Sequence, residues 1–332
     1  MKYRAAVIGC GRIGFGFDRD PKRKHVATHA GAYNFAKGVE LEAVCDINKK
    51  ALEECARRWH VRGAYTNFKK MLKKEKIDIL SICTPPETHY SMLKEAVESP
   101  LKAIFCEKPL AVNVKDAEEM VRLCRKKGII LQVDHQRRFC PLHENIRDFI
   151  RKKKFRDVQQ VNFYYTAGVR NTGSHMFDLL RFFFGDVEWI EAFLSKNISG
   201  KETDPNLDGM LRFKNGVFAT FQACDVKKYL IFELNCLFEE GRIIIKNSGF
   251  SVDVYKTGES RYYSGYKELE KEKDVFKADI KREFMVNAVN HLVYCVKKGK
   301  ESISSGEDGL AAVKLIESAV YSAERGGERV YG

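Results

Sequence analysis

The chain has 332 residues, of which 44% are hydrophobic and 31% are charged, a composition that excludes an intrinsically disordered protein. At roughly 150 residues per domain, this length predicts about two domains. No apolar run approaches the roughly 20 residues that span a bilayer, so we expect no membrane segment. The 58 Lys and Arg exceed the 45 Asp and Glu, and the net charge of +13 suits an anionic partner such as a phosphate, a carboxylate, a nucleotide or a nucleic acid.

The ten cysteines are scattered, without a C-x-x-C pair or a Cys/His cluster at zinc-ligand spacing. We therefore predict no metal site and no disulfide framework. Several cysteines lie inside apolar runs, where a reduced thiol acts as a small hydrophobe. The apolar stretch at the N-terminus is too short for a signal-peptide core. Both features favour the reducing cytoplasm as the location.

Up to about residue 135, short apolar runs alternate with longer amphipathic segments. The runs are AAVI, LEAVC, IDILSIC, KAIFC and IILQV, and the amphipathic segments cover 48–60, 87–98 and 113–127. This alternation is typical of parallel βαβ units with helices on both faces of the sheet. We predict a first, α/β domain over residues 1–135.

From residue 136 to 332 the pattern changes to β-branched and aromatic runs that follow one another directly. They are DVQQVNFYYT, GMLRF, GVFATFQAC, LIFELNCLF and GRIIIK. Asn215 and Gly216 predict a hairpin, and EEG at 239–241 predicts a second turn, so we expect a large, mostly antiparallel sheet. Helical periodicity returns over about 279–325, and these closing helices are able to pack on either domain. The charged segments 19–25 and 266–274 are predicted to be exposed loops.

The first predicted strand runs directly into the glycine motif GCGRIG. Gly9, Gly11 and Gly14 have the spacing that lets the backbone approach a pyrophosphate and directs a helix N-terminus at it. An isolated motif of this kind is weak evidence, but a strand before it and a βαβ pattern after it are the required context. We predict a dinucleotide site whose contacts in this loop include Arg12 and Ile13.

The second strand ends in Asp46, where a carboxylate accepts hydrogen bonds from the adenosine ribose and repels a ribose phosphate. This favours NAD over NADP, although Lys49 and Lys50 leave NADP possible. Asp46 lies 32 residues after Gly14, beyond the usual roughly 20, and the insert at 15–29 explains the excess. The alternative role for Asp46 is the N-cap of the helix at 48–59.

Two further segments follow strands and face the same edge of the predicted sheet: TPPETHY at 84–90 and EKP at 107–109. Cofactors bind along this edge in such folds. The predicted cofactor contacts here are Thr84, Pro85, Pro86, His89, Glu107 and Lys108, with Gln136 after the last strand. His89 suits a cofactor-edge or structural role better than an acid or base. From spacing alone, Lys108 is equally well one of many surface lysines.

Together with HQRRF at 135–139, NTGSHMFDLLRFFFG and SSGEDGL at 304–310, these motifs resemble the Gfo/Idh/MocA family of nicotinamide-dependent oxidoreductases. The resemblance extends over nearly the whole chain. It implies an N-terminal Rossmann domain and a C-terminal α/β domain with an open mixed sheet that often forms the subunit interface, hence a homodimer or homotetramer. It also implies hydride transfer at a carbinol or keto carbon of a sugar, polyol or nucleotide sugar.

By the same resemblance, Lys108 polarises the reacting hydroxyl and His175 is the acid or base. The family's common pattern has an aspartate four residues before this histidine, and here that position is Asn171. An amide orients a hydroxyl but takes no proton, so proton transfer falls on His175 with Lys108. Without the family pattern, His175 is a helix N-terminal residue chosen for capping or packing.

Candidate substrate contacts are cationic or aromatic. Arg138 follows the last strand of the first domain and Arg170 precedes Asn171, and both suit a phosphate or carboxylate. Tyr165 ends the first strand of the second domain beside Tyr164, and alternation sends one ring toward the substrate and buries the other. The insert at 15–29 is either a lid or, as we favour, a solvated loop. Five histidines show no partner pattern and are interpreted as ordinary: His25, His29, His60, His143 and His291.

Three other functions stay open at this point. The same fold hosts glycosidases that use bound NAD for a transient oxidation, and Asn171 is also compatible with a catalytically silent dinucleotide sensor. Nucleic-acid binding ranks last, because the lysines are spread over many helices and no recognition motif is present.

Overall fold

The computed structural model of the chain describes residues 2–273, 275–276 and 283–332. The chain forms two compact units. The first contains Met1–Cys140 and Lys281–Val313, and the second contains Pro141–Ile280 and Lys314–Gly332. Residues 279–282 of the predicted closing helices and residue 274 of the predicted loop 266–274 lie outside the described residues.

The first unit consists of alternating strands and helices. In chain order they are β1 (Tyr3–Ile8), α1 (His29–Phe35), β2 (Val39–Cys45), α2 (Lys49–Trp59), β3 (Gly63–Tyr65), α3 (Phe68–Lys74), β4 (Ile79–Ile82), α4 (His89–Ala96), β5 (Ala103–Cys106), α5 (Val114–Lys127), β6 (Ile130–Val133) and α8 (Phe284–Lys298). The six strands form one parallel sheet in the order β3-β2-β1-β4-β5-β6, which is the Rossmann order. This confirms the predicted doubly wound sheet.

Each face of this sheet is buried under its own hydrophobic cluster. One cluster includes Met71, Leu93 and Met120 from α3, α4 and α5. The other includes Leu52 from α2 and Leu292 from α8. Strands covered on both faces read as continuous apolar runs, which is why β1, β4 and β5 were evident in the sequence. Strand β3 has only three residues and was not predicted.

The helix boundaries follow local capping. The side chain of Asn48 accepts a hydrogen bond from the backbone of Ala51 at the start of α2, and Asn113 caps α5 in the same way. Helix α5 ends at Gly128, which has a φ of 65°, the left-handed conformation that glycine adopts without strain. The three predicted amphipathic helices are confirmed as α2, α4 and α5.

The second unit is built on one large sheet. Its elements are α6 (Pro141–Arg151), β7 (Val158–Tyr165), α7 (Gly173–Phe184), β8 (Val187–Leu194), β9 (Leu207–Phe213), β10 (Phe218–Ala223), β11 (Phe232–Phe238), β12 (Gly241–Lys246), β13 (Ser251–Glu259), β14 (Lys267–Glu272) and β15 (Val330–Tyr331). Helix α9 (Gly306–Glu324) begins in the first unit and ends in the second.

The nine strands have the order β14-β13-β12-β11-β7-β10-β9-β8-β15. Among the described strands of this sheet, only β7 and β10 pair in parallel. The predicted mostly antiparallel sheet is therefore confirmed, and so is the hairpin at Asn215 and Gly216, which joins β9 to β10. On the buried face, Phe177 of α7 meets Phe221 of β10 with ring centroids 5.4 Å apart.

One loop prediction is wrong. Residues 267–272, predicted to be an exposed loop, form strand β14, which pairs with β13 through six residues. The strand lies at the edge of the sheet and is almost entirely exposed. Its Lys and Glu residues give no apolar alternation to detect, and charged side chains are typical of an edge strand that must not pair with another chain.

Candidate active site

The glycine loop begins where β1 ends and is closed by backbone contacts that only glycine permits. Gly9 has a φ of 96°, and a Cβ there would lie 2.7 Å from the carbonyl oxygen of Cys83. A Cβ on Gly14 would lie 1.8 Å from the carbonyl oxygen of Gly9. Gly11 is different, since no heavy atom lies within 4 Å of its Cβ position. The loop is thus tightly packed on one side and open at Gly11, the position where a pyrophosphate would pass the backbone.

The helix expected directly after the glycines is interrupted by the insert. The segment after Gly14 forms a short 3₁₀ turn at Gly16–Arg19, and α1 begins only at His29. The helix nevertheless continues across the gap, because the backbone N–H of His29 donates to the carbonyl oxygen of Ile13 at 3.1 Å, and that of Ala30 donates to Gly14 at 3.0 Å. The insert is therefore an excursion from the first turn of one helix, which accounts for the long distance to Asp46.

The insert has defined contacts of its own. The carboxylate of Asp18 accepts hydrogen bonds from the Ala27 backbone and the Thr28 hydroxyl. The ring of Phe17 lies 5.0 Å from the guanidinium of Arg12 and 3.9 Å from that of Arg23. A cavity of about 150 Å³ is lined by residues of this insert, two predicted cofactor contacts and the first two residues of α8: Ile13, Phe17, Arg23, His25, Val26, Ala27, Gln136, Phe284 and Met285. Residues 21–24 at its tip are exposed.

Asp46 closes the glycine loop from the neighbouring strand. One carboxylate oxygen accepts a hydrogen bond from the backbone N–H of Cys10 at 2.6 Å, and the other accepts from the backbone of Asn48 at 2.7 Å. Asn48, and not Asp46, is the N-cap of α2, so the structure rejects the capping alternative. Asp46 is partly exposed, which leaves its carboxylate able to accept ribose hydroxyls. The glycines and Asp46 fit the adenosine half of a dinucleotide.

The TPPETHY and EKP segments are tied together by His89. This histidine is fully buried. Its Nε2 lies 2.8 Å from the carbonyl oxygen of Thr84, and its Nδ1 lies 3.1 Å from that of Pro109. The peptide bond between Lys108 and Pro109 is cis. Pro86 starts a short 3₁₀ turn after Pro85. The placement of His89 supports the structural interpretation, with both ring nitrogens directed at backbone carbonyls of the two segments.

Behind Lys108 lies a buried polar cluster that the sequence did not reveal. Glu107, His29 and Asp134 are all buried. The Nε2 atom of His29 lies 3.0 Å from Glu107 Oε1, and its Nδ1 atom lies 2.9 Å from the Ser81 hydroxyl. The Ser81 oxygen in turn lies 2.8 Å from the hydroxyl of Tyr33. Glu107 and Asp134 are hydrogen-bonded to each other.

Burial dominates the electrostatics of this cluster. It lowers the pKa of His29 to about 4 and raises the pKa of Glu107. The pKa of Asp134 is raised well above its usual value by burial and then by the adjacent Glu107. Desolvation disfavours the charged form of each group, and the like charge of Glu107 reinforces this for Asp134.

The donor atoms of His29, Glu107 and Asp134 lie within 4.8 Å of one another, a spacing that could also hold a metal ion. Hydrogen bonds among the three groups already account for that spacing. The expectation of no metal site remains a prediction. His29 was interpreted as ordinary because its partners come from strands far along the chain. The only local signal was a carboxylate directly after each of β5 and β6.

In the second unit, a sharp turn carries Asn171 and leads into α7. Ala167 and Gly168 have φ values of 67° and 88°, and the turn at Gly168–Thr172 is a single π-helical turn. Asp204 accepts hydrogen bonds from the backbone N–H groups of Arg170 at 2.7 Å and Asn171 at 3.0 Å. The turn is therefore held by a carboxylate from a different segment of the unit.

A second anchor acts on the same turn. The side-chain oxygen of Asn206 accepts from the backbone of Gly168 at 2.9 Å. A Cβ on Gly168 would lie 2.2 Å from Asp204 Oδ2, so Asp204 approaches the turn this closely because the residue is glycine. Sequence reasoning did not find Asp204 or Asn206, since neither lies in a motif.

His175 lies in the first turn of α7 and is partly buried, while Asn171 is exposed. The carbonyl oxygen of Asn171 accepts a hydrogen bond from the Ser174 hydroxyl at 2.7 Å. The backbone of Asn171 is thus fixed on both sides of the residue, and the helix start that carries His175 is fixed with it.

Two of the three predicted substrate contacts do not fit their positions. Arg138 is buried in the first unit, where it pairs with Asp308 at 3.0 Å and donates to the carbonyl oxygen of Ile303 at 2.8 Å. Tyr165 is fully buried, and its hydroxyl donates to the carbonyl oxygen of Leu207. Its neighbour Tyr164 is the exposed ring of the pair. Arg170 is only partly buried and remains a candidate.

Comparison with known proteins identifies the family. Residues 3–135 match the family GFO_IDH_MocA, described as an oxidoreductase family with an NAD-binding Rossmann fold, and residues 155–244 match the GFO/IDH/MocA C-terminal domain. The chain is 25% identical to a D-apiose dehydrogenase of Paraburkholderia graminis over 98% of its length and 88% of that protein. It is 26% identical to a myo-inositol 2-dehydrogenase of Thermotoga maritima, over 97% and 96% of the two chains.

The fold matches solved structures over the whole chain. The WlbA dehydrogenase of Bordetella pertussis, solved in complex with NADH and UDP-GlcNAcA, superposes with a TM-score of 0.80 at 20% identity over 100% of this chain and 99% of that one. No helix among residues 2–273, 275–276 and 283–332 combines the length and apolarity needed to cross a bilayer. With both of its domains matched, this chain belongs to the Gfo/Idh/MocA family of oxidoreductases and has that family's NAD-binding Rossmann domain.

Proposed function

We propose that the chain is an NAD-dependent dehydrogenase that interconverts a CH–OH group and a carbonyl on a sugar or polyol. The observation that carries this proposal is the near full-length similarity to relatives named for apiose and inositol oxidation. The retention of a dinucleotide loop closed by a carboxylate at the end of β2 supports the cofactor. NADP remains the alternative that Lys49 and Lys50 leave open.

The residues proposed to hold the cofactor are grouped along the carboxyl ends of the parallel strands. Gly9, Gly11, Gly14 and Asp46 hold the pyrophosphate and the adenosine ribose. The remaining proposed contacts are Arg12, Ile13, Thr84, Pro85, Pro86, Glu107, Lys108 and Gln136. When bound, NAD supplies the acceptor for the hydride. Every proton transfer must be done by the chain itself.

His175 is the proposed acid and base. Oxidation of a carbinol requires loss of the hydroxyl proton as the hydride leaves, and histidine is the residue type that exchanges protons near neutral pH. Lys108 stabilises the developing negative charge on the substrate oxygen. Asn171 orients the hydroxyl through its amide, and Arg170 contacts an anionic or polar part of the substrate. The three segments that carry these residues have their backbones fixed by buried partners, which suits groups that must hold a reacting geometry.

The test is the absorbance of reduced nicotinamide after mixing the purified protein and NAD with separate panels of free sugars, polyols and nucleotide sugars. We expect reduction with one substrate class and none with His175→Ala. No reduction on any panel, with NAD binding shown by fluorescence, would contradict the proposal. Release of a chromophore from a glycoside under the same conditions would then assign the glycosidase reaction instead.

We also propose that the chain assembles as a homodimer or homotetramer through the large sheet of the second unit. Light scattering of the purified protein tests this directly. A monomer at micromolar concentration would overturn it.

A further inference from the structure

A continuous path of hydrogen bonds crosses the interior of the first unit. It runs from Tyr33 to Ser81, His29 and Glu107, and then to Asp134. All five residues are at least nine-tenths buried. Buried polar groups must be satisfied by one another where no solvent reaches them. The path passes through Glu107, the residue that precedes Lys108 in the chain.

The chemistry of the groups fixes the direction of each hydrogen bond. Three groups are placed to donate to Glu107: His29 Nε2 at 3.0 Å, the backbone N–H of Lys108 at 3.2 Å, and Asp134. A group that accepts three donors is best satisfied as an ionised carboxylate. With its Nε2 donating, a neutral His29 accepts at Nδ1 from the Ser81 hydroxyl. The Ser81 oxygen then accepts from Tyr33.

Asp134 is the remaining residue of the path, and its surroundings favour the protonated carboxyl group. One of its carboxyl oxygens, Oδ1, has no hydrogen-bond partner among the described residues and is buried. An ionised Asp134 would leave part of its charge without any donor, at great cost in an apolar interior. A protonated Asp134 leaves only a neutral carbonyl oxygen there and provides the O–H that Glu107 accepts. Two adjacent buried carboxyls share one proton for the same reason.

We propose that Asp134 is a neutral carboxylic acid at neutral pH. Together with His29 it acts as a positioning residue that confines one negative charge to Glu107. That charge keeps Lys108 an ammonium ion. The network thus assigns Lys108 the role of hydrogen-bond donor and excludes it as the general base. This inference rests on the proposed role of Lys108 in catalysis. The protonation state of Asp134, however, is a property of the folded protein and does not depend on that role.

The charged and titratable groups around the pair come from four elements. His29 lies on α1, Cys83 follows β4, Cys106 and Lys108 lie at the end of β5, and Asp134 follows β6. Both carboxyls interact with Lys108, which lowers their pKa values. Burial and the nearby Glu107 raise the pKa values of both thiols, which keeps them neutral. Lys108 is thus the cation that both carboxyls of this set interact with.

The first test is the infrared carbonyl band of a protonated carboxyl group at pH 7, measured on the full chain. We expect the band in the wild type, its loss in Asp134→Asn, and its retention in the control Asp157→Asn, which alters an exposed carboxylate. The wild-type spectrum is informative even if Asp134→Asn fails to fold. Absence of the band in the wild type overturns the proposal. A stoichiometric divalent cation found by elemental analysis and lost in Asp134→Asn also overturns it.

The second test is the pH dependence of kcat/KM. Glu107→Gln removes the charge that stabilises the ammonium ion, so we expect the alkaline limb to move to lower pH by about 1 unit or more. Asp134→Asn retains an N–H donor and the Glu107 charge, so it should rescue most of the rate lost in Asp134→Leu and keep the wild-type limb. An unmoved limb in Glu107→Gln contradicts the link to Lys108. If Lys108→Ala is fully active, the proposed catalytic role of Lys108 fails, while the infrared result still decides whether Asp134 is protonated.

Discussion

The two loops that carry the proposed chemistry are both held by a glycine with a positive φ and by a carboxylate that accepts backbone N–H groups. They differ in how exposed that carboxylate is. In the first unit, Gly9 adopts a positive φ and the carboxylate of Asp46 accepts a backbone N–H of the loop. In the second, Gly168 adopts a positive φ and Asp204 accepts two backbone N–H groups. Asp46 is partly exposed, whereas Asp204 is buried. The partly exposed carboxylate therefore has capacity for a ligand, and the buried one holds the backbone of its loop.

This difference separates binding from catalysis. Changes at the first loop should act mainly on cofactor affinity, and changes at the second should act on turnover and on stability. The predictions below test that separation in order of decreasing effect.

The largest effect is expected for the two proposed catalytic side chains. His175→Ala and Lys108→Ala should each lower kcat by about 10²-fold or more, the usual scale for acid/base and charge-stabilising groups. NAD affinity should change little in His175→Ala, because the histidine is proposed to exchange a proton with the substrate and not to hold the cofactor. Steady-state kinetics with the substrate found in the panel measures both. His60→Asn, at an exposed left-handed helix end, is the matched control and should keep wild-type turnover. Full activity in both alanine variants would refute the assignment.

Asp46→Ala should weaken NAD by about 10-fold to 100-fold, since hydrogen bonds to a charged group contribute about 1.5–3 kcal/mol. Discrimination against NADP should fall at the same time, because the repulsion of the 2′-phosphate is lost. Titration of both cofactors by fluorescence gives the two dissociation constants. Unchanged constants for both cofactors would remove Asp46 from the site.

Asp204→Ala should cost about 2 kcal/mol in the free energy of unfolding, because two backbone N–H groups lose their acceptor inside the unit. Turnover should fall with the loss of loop shape, while the dissociation constant of NAD stays at its wild-type value. Denaturant unfolding and NAD titration measure the two effects separately. The milder Asp204→Asn keeps one acceptor oxygen, so its free energy of unfolding should lie between those of the wild type and Asp204→Ala. A variant with weakened NAD and normal stability would contradict the comparison of the two loops.

The smallest effect concerns pH and the buried network. His29 stays neutral in the folded protein to about pH 4, whereas in the unfolded chain it gains a proton near pH 6.5, so its contribution to stability is lost as the pH falls through this window. The raised pKa of Asp134 acts oppositely, because the folded state keeps a proton that the unfolded state releases. The contributions of His29 and Asp134 oppose each other between about pH 4 and 6.5, and above this range the contribution of Asp134 should lower stability as the pH rises.

Asp134→Asn removes the contribution of Asp134 to this pH dependence and leaves that of His29. Its stability should fall toward acid between about pH 6.5 and 4, with His29 alone contributing, and should lack the alkaline decline. Urea unfolding of the wild type and of Asp134→Asn over a pH series gives the difference in their free energies of unfolding. The contributions of the other titrating groups cancel in this difference. Parallel curves for the two proteins would show that Asp134 carries no proton in the folded state.

The same comparison explains what the sequence was able to predict. The glycine loop and Asp46 were predictable because adjacent parallel strands place their carboxyl ends side by side, so spacing along the chain becomes proximity. Arg138 and Tyr165 were misjudged because spacing gives a position at the end of a strand and not the direction of the side chain. Arg138 turns inward to Asp308, more than 160 residues away in the chain.

The anchors of the second loop and the buried network were invisible for a related reason. Asp204, Asn206 and Asp134 act through partners that only the folded chain brings together. Single carboxylates and amides in polar stretches carry no periodic signal. The insert was recognised from its length, but its return to the helix through His29 and Ala30 depends on two backbone bonds that no side chain encodes.

The most direct test of the account is the fate of the hydrogen on the carbinol carbon. Each substrate that reduces NAD is prepared with deuterium at that carbon, and the reduced cofactor is analysed by mass spectrometry. The account predicts one deuterium in the nicotinamide ring of NADH and a slower rate than with the protonated substrate. Deuterium recovered in water, or no reduced cofactor from any sugar or polyol, would contradict hydride transfer by this chain.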